Sequence, residues 1–210
     1  MIEVKSNLVQ KLKKELERGP KGVYGIGTVT DPYQPVEREH ELTRGCLLAL
    51  RRVGARVSIL TKSDMVLRDI DLLTSWTGAE VGISVSTLNE DLASIVEPGA
   101  PSPRRRFDAL RKLSSEGVSV YLMFAPVIPS LSDSDEHLRA VVQEAATCSV
   151  PRMIWDKFNP KPMATARLRR ALAEKDMELS GPHSPSDTER IRRLLSEECS
   201  APMIELLDAF

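Results

Sequence analysis

The chain contains no apolar run of roughly 18 residues, so nothing in it reads as a membrane-spanning helix. It also lacks the basic-then-apolar start of an export signal, and a cytoplasmic protein is expected. Neither sign of charge dominates. Lys and Arg total 29 against 30 Asp and Glu, for a net charge of −1. The overall balance therefore argues for neither nucleic acid nor membrane, while leaving room for a local basic face. Cysteine is scarce: Cys46, Cys148 and Cys199 are far apart and form no CxxC pair. That spacing excludes a disulfide framework and builds no metal site by itself. His40, His137 and His183 all lie in polar stretches and read as solvated. Gly25-Ile26-Gly27 lacks the third glycine of a dinucleotide loop, since Thr30 stands there, and there is no Gly-Lys-Ser/Thr phosphate loop. Internal repeats and low-complexity tracts are absent too.

What is present is alternation. The chain has 210 residues, 41% of them hydrophobic, enough for one sizeable core. Short β-branched runs predict strands at Ile2–Lys5, Val23–Thr30, Arg56–Lys62, Glu80–Thr87, Val118–Val127 and Arg152–Asp156. Each is followed by a helical pattern with one apolar stripe: Asn7–Arg18, Glu37–Val53, Met65–Trp76, Arg104–Glu116, Asp135–Cys148 and Met163–Lys175. Asp133 with Glu136 reads as a capping box before the helix from Asp135. Repeated βα units imply an α/β fold with a parallel sheet, either an open doubly wound sheet or a closed or partial (β/α) barrel. Residues 1–180 read as this domain. Residues 181–210 read as a helical extension packed on it, with a linker before a terminal helix at Ile191–Leu207.

In both architectures function sits at the carboxyl ends of the strands. Every strand from the second onward ends there in polar residues, which points to a ligand site on that rim. The turn Thr30-Asp31-Pro32-Tyr33-Gln34-Pro35 is stiffened by two prolines and followed by Glu37, which suits binding more than simple chain reversal. Lys62 and Lys157 close strands, and either is a candidate Schiff-base lysine, with Asp156 as a general acid or base; a salt-bridged rim is the plainer alternative. Arg104-Arg105-Arg106 stands at a helix start, where positive charge opposes the helix dipole. At least one of these arginines should meet an anion: Glu97, a ligand carboxylate or a nucleic-acid phosphate.

Four segments carry a family resemblance. They are GTVTDPYQPVE (Gly27–Glu37), TKSDMVLRDIDLL (Thr61–Leu73), the stretch from Ser84 to Val120 containing EPGAPSPRRRF, and APVIPSLSD (Ala125–Asp133). Together they resemble the radical S-adenosylmethionine superfamily, in the DNA-repair-photolyase-like branch related to spore photoproduct lyase. The resemblance implies a partial (β/α) barrel with S-adenosylmethionine lying across the carboxyl rim. It places Thr30, Asp31 and Glu37 by the methionine amino group, Ser84 and Ser86 by the ribose or carboxylate, and Arg106 by the carboxylate. Val127 and Ile128 would supply backbone and apolar contacts to adenine. Ser130 stands where relatives usually have glycine.

The family holds a 4Fe-4S cluster on a CxxxCxxC motif upstream of these segments, and no such motif occurs here. The resemblance therefore implies a barrel lacking the family's first βα unit, and a chain not expected to carry the cluster on its own three cysteines. It implies lyase-like chemistry, with nucleic acid as a conceivable substrate and an upstream cluster-bearing segment or subunit as a partner. An open barrel seam implies a homo-oligomer. The competing readings are a non-catalytic nucleoside-binding or scaffold module and a Schiff-base barrel lyase.

Overall fold

The computed structural model describes residues 4–209. In chain order the elements are α1 (Leu8–Leu16), β1 (Val23–Ile26), α2 (Glu37–His40), α3 (Leu42–Arg52), β2 (Arg56–Thr61), a 3-10 helix (Asp64–Asp69), α4 (Ile70–Leu73), β3 (Ala79–Val85), α5 (Glu90–Val96), α6 (Pro103–Ser115), β4 (Ser119–Val127), α7 (Asp135–Thr147), β5 (Arg152–Lys157), α8 (Pro162–Ala173), α9 (Pro185–Ser200) and β6 (Glu205–Asp208). Among the described residues six strands form one sheet in the order β1-β2-β3-β4-β5-β6, and all neighbours are parallel. A sequential parallel order with right-handed crossovers puts the connecting helices on one face. The sheet curls away from them as a partial (β/α) barrel.

The side-chain period of two separates the faces. In β2, Val57, Ile59 and Thr61 are buried towards the helices, while Ser58 and Leu60 are only half-buried. In β5, Met153 and Trp155 are buried, and Ile154 and Asp156 are half-buried. The concave face is thus the partly open one. Its amino end is filled by Tyr121, which lies across Gly82: a Cβ on Gly82 would stand 2.1 Å from the Tyr121 ring. Arg152 covers that ring at 5.0 Å and pairs with Glu80, which also accepts from Ser58.

The main core joins the buried strand faces to α3, α6, α7 and α9. A second, smaller core lies at the carboxyl end. There Leu92 of α5, Ile128 after β4, Leu172 of α8 and Leu179 pack together with Phe158 and Leu168. Consequently α5 and α8 sit on the rim, and α9 packs beside α7 in the outer layer.

Several local expectations change. The predicted helix from Glu37 to Val53 is two helices, because Glu41 takes a left-handed φ of 45° between α2 and α3. The segment from Met65 begins as 3-10, and α5 went unread although Asn89 caps it through Leu92 N–H. The N-cap of α7 is Ser134, accepting from His137 N–H, and not Asp133. The linker ends sooner than expected, because Ser184 and Asp187 form a capping box that starts α9. The terminal helix stops at Ser200, and Glu205–Asp208 pairs with Arg152–Trp155 as an edge strand. The carboxyl segment therefore adds a strand to the sheet as well as a helix. Val4 and Lys5 are not in a strand; the rest of the strand expected at Ile2–Lys5 lies outside the described residues.

Candidate functional site

The β1 exit loop is built onto its neighbours by charge. The Asp31 carboxylate accepts from Tyr33 N–H at 2.9 Å, Thr61 hydroxyl at 2.7 Å and Lys62 N–H at 2.7 Å, which ties the loop to the end of β2. Gly27 permits that approach, with φ 101° and space for no Cβ beside Leu60 O. Tyr33 is buried and donates to Asp69, which is fully buried. Burial, and then the neighbouring Asp69, push the Tyr33 hydroxyl well above its ordinary value, so it stays a donor. Asp69 also accepts from Arg44 at 2.7 Å and Arg68 at 3.1 Å. Glu37 is buried, accepts from Thr43 N–H and Arg44 N–H at the start of α3, and pairs with Arg68 at 2.9 Å. The resemblance implies a cofactor-facing Glu37, and an ordinary helix start would leave it on the outer face. The structure shows a third arrangement, in which Glu37 caps α3 and neutralises Arg68.

Beside this loop lies a cleft of about 360 Å³, lined by Asp31, Gln34, Lys62, Ser63, the Pro98–Pro101 segment and Arg105. Lys62 Nζ stands 3.5 Å from Glu97. The other Glu97 oxygen accepts from Arg106, whose Nη1 also donates to Ser84 O at 3.0 Å and whose Nε donates to Pro101 O at 2.8 Å. Asp31, Lys62, Glu97, Arg106 and Ser84 thus form one connected line across the rim. Glu97 is the link that sequence reasoning named only as one of several anions. Gln34 and Arg105 also line the cleft; the sequence marks one in the stiffened turn and the other in the arginine run, without a site role for either. Arg105 is itself paired with Asp64 at 2.6 Å.

Two donors in this region are left over. Arg106 and Ser86 are each 1% exposed, and among the described residues neither Arg106 Nη2 nor Ser86 Oγ has a partner. Unpaired buried polar groups of this kind are costly and call for a physical reason. Ser84 Oγ, in contrast, donates to Ala125 O at 3.4 Å.

Other candidates stand elsewhere. Thr30 is exposed and borders an apolar groove on the other side of the loop. Val127 and Ile128 are fully buried in the main and second cores respectively. Val127 O accepts from Phe158 N–H, and Ile128 N–H donates to Ser132 at 2.8 Å. Packing and these hydrogen bonds have already claimed both residues, and neither lines the cleft. Ser130 takes a left-handed φ of 61°, the conformation glycine adopts without cost. Lys157 is exposed. Burial pushes the Asp156 carboxyl up from its ordinary value, against the pull of Lys157 and Asn159. The His183 side chain is 1% exposed and pairs with Asp133 at 3.1 Å, so it is not the solvated residue its polar stretch suggested.

The cysteines do not fit an iron–sulfur cluster. Cys46 lies on α3, Cys148 follows α7 and Cys199 lies on α9, and all three are buried. Burial pushes the thiols of Cys46 and Cys199 up to about 11. Among the described residues no group of three His, Cys, Asp or Glu is placed to hold a metal ion.

The family model of the Radical SAM superfamily matches residues 3–141. The chain belongs to the radical SAM superfamily. An uncharacterized protein of Methanocaldococcus jannaschii is 38% identical over 132 residues, covering 63% of this chain and 49% of the relative. An uncharacterized protein of Mycobacterium tuberculosis is 33% identical over 150 residues, covering 69% of this chain and 44% of that protein. The chain spans about half the length of the curated relatives it matches. Among solved structures, spore photoproduct lyase with bound AdoMet and dinucleoside spore photoproduct superposes with TM-score 0.71 at 15% identity, covering 98% of this chain and 67% of that one. The likeness establishes the radical SAM partial barrel. Among the described residues no helix is long and apolar enough to cross a membrane.

Proposed function

We propose that this chain is the cofactor-binding barrel portion of a radical S-adenosylmethionine enzyme acting on a nucleic-acid substrate, and that it does not carry out cluster chemistry on its own cysteines. The observation that carries the reading is a buried donor, Arg106 Nη2, unpartnered among the described residues and on the same rim line as Lys62 and Glu97; Ser86, just past the end of β3, adds a second such donor in its Oγ. They fit the cofactor's methionine end. Lys62 and Arg106 suit a carboxylate, Asp31 and Glu97 suit an ammonium, and the Ser86 hydroxyl suits a ribose or carboxylate oxygen. When bound, S-adenosylmethionine supplies in this family a 5′-deoxyadenosyl radical. The residues here hold and orient its charged end. The nucleic-acid part is supported by likeness to a lyase bound to a dinucleoside photoproduct.

Lys62 pairs with Glu97 and Lys157 is exposed, so neither has the apolar surroundings that activate a Schiff-base lysine. A non-catalytic nucleoside-binding module would use the same cleft and differ by lack of turnover.

Isothermal titration of S-adenosylmethionine tests the reading. Binding is expected, weakened at least about tenfold in Lys62→Met and measurably in Ser86→Ala. Equal affinity in both variants and the parent would remove this rim from the cofactor site. Anaerobic reconstitution should leave the chain without stoichiometric iron. About four irons per chain, with thiolate absorbance, would overturn the statement about its cysteines.

A further inference from the structure

The segment from Lys157 to Ala173 contains five basic residues, Lys157, Lys161, Arg167, Arg169 and Arg170, and no acidic one, in a chain whose net charge is −1. A solvated helix face ordinarily mixes both signs. Along α8 the mixture is missing until Glu174, at the carboxyl cap of the helix. Helix α8 buries Thr165 and Leu172, and Leu168 and Leu172 pack in the second core beside Leu92 and Ile128, so it stands on the carboxyl rim. Met163, Arg167 and Arg170 follow the i, i+4, i+7 spacing and share the opposite, solvent-facing stripe. Met163 is 73% exposed. Among the described residues Lys161, Arg167 and Arg169 form no ion pair. Arg170 meets only Glu174, at 3.7 Å, between side chains that are 87% and 69% exposed. A pair so exposed neutralises little.

We infer that the outer face of α8 is a docking surface for the phosphate backbone of a nucleic-acid strand, which it presents to the adjacent rim. Apart from the exposed Arg170–Glu174 pair the charge along α8 is of one sign, and α8 packs against α5, the rim helix that leads into Glu97. From Lys161 to Arg170 the helix rises about 13 Å, the length of roughly four stacked nucleotides. The exposed thioether of Met163 offers an apolar contact next to Arg167 for a base or sugar. This rests on the nucleic-acid part of the proposed function, but not on cofactor binding.

The test is fluorescence anisotropy of a labelled single-stranded oligothymidine titrated with the intact chain at about 50 and about 200 mM salt. Binding is expected to weaken steeply with salt. Arg167→Ala/Arg170→Ala should bind about tenfold more weakly, with the salt slope flattened by about 1.4. The matched variant Lys13→Ala/Lys14→Ala, on α1 beside α3, removes the same charge and should stay within about twofold of the parent. Equal loss in the two variants, no loss in the first, or no binding by the parent at low salt each overturns the proposal. Arginine-dependent binding to phosphatidylserine vesicles without oligonucleotide binding also overturns it. Calorimetry with S-adenosylmethionine, expected to be unchanged in Arg167→Ala/Arg170→Ala, reports separately on the cofactor site.

Discussion

Asp31 and Lys62 lie 31 positions apart in the chain, and the carboxylate of one accepts the backbone N–H of the other at 2.7 Å. The ends of β1 and β2 are therefore locked together before any ligand arrives. Asp31 has two tasks in that lock, holding its own turn through Tyr33 N–H and the neighbouring strand end through Thr61 and Lys62. Its replacement by Ala is expected to cost about 2–3 kcal/mol in urea unfolding, more than a turn residue alone and with S-adenosylmethionine affinity falling as well. A cost below about 0.5 kcal/mol would show that the lock contributes nothing.

Asp69 is fully buried beneath two arginines and the Tyr33 hydroxyl. Asp69→Asn leaves those guanidinium groups short of a counter-charge. A loss of about 3–5 kcal/mol is expected, against about 1 kcal/mol for Tyr33→Phe. Chemical denaturation of both variants would refute the ranking if their costs were equal.

Gly82 makes room for Tyr121 on the concave face. Gly82→Ala puts a methyl group 2.1 Å from the ring, which must move off Arg152. A cost of about 1–3 kcal/mol is expected, partly recovered in Gly82→Ala/Tyr121→Leu. Thermal melts of the single and double variants measure this. A double variant less stable than the single one would mean that the clash is absorbed elsewhere.

Burial pushes His137 below its ordinary value of 6.5, with Asp133 pulling the other way. Between the two values the unfolded chain binds the extra proton, so stability rises with pH. The contribution is fully present above about pH 6.5 and is lost as pH falls from there towards the folded-state value. The parent should therefore lose more stability than His137→Gln between about pH 7.5 and about pH 5.5. Identical pH profiles in urea would leave His137 without a part in it.

Strand β1 pairs with β2 on one side only among the described residues. It borders an apolar groove of about 350 Å³ lined by Leu8, Leu12, Tyr24, Ile26, Cys46 and Leu50. Leu8 is 41% exposed and Val23 50%. A homodimer through this edge is expected, dissociated by Val23→Lys. Light scattering showing a monomer at high concentration would contradict it.

The parallel α/β architecture was readable because it rests on local periodicity. Alternation in β2 and the apolar stripes of α3, α6 and α7 each follow from a few consecutive side chains. That Asp31, Lys62, Ser84 and Arg106 stand along the carboxyl rim followed from strand ends and motif. What each of those residues touches did not. Glu37 turned to Arg68, 31 positions away, and Glu97 bridged Lys62 and Arg106. Val127 and Ile128 disappeared into two separate cores. The pairing of β6 with β5 and the shift of α8 onto the rim were equally unreadable, since Glu205–Asp208 and Pro162–Ala173 are locally compatible with other placements. Local pattern decides which elements form. Burial of apolar area and satisfaction of buried charge decide which partners they meet, and those partners are brought together only when the sheet closes.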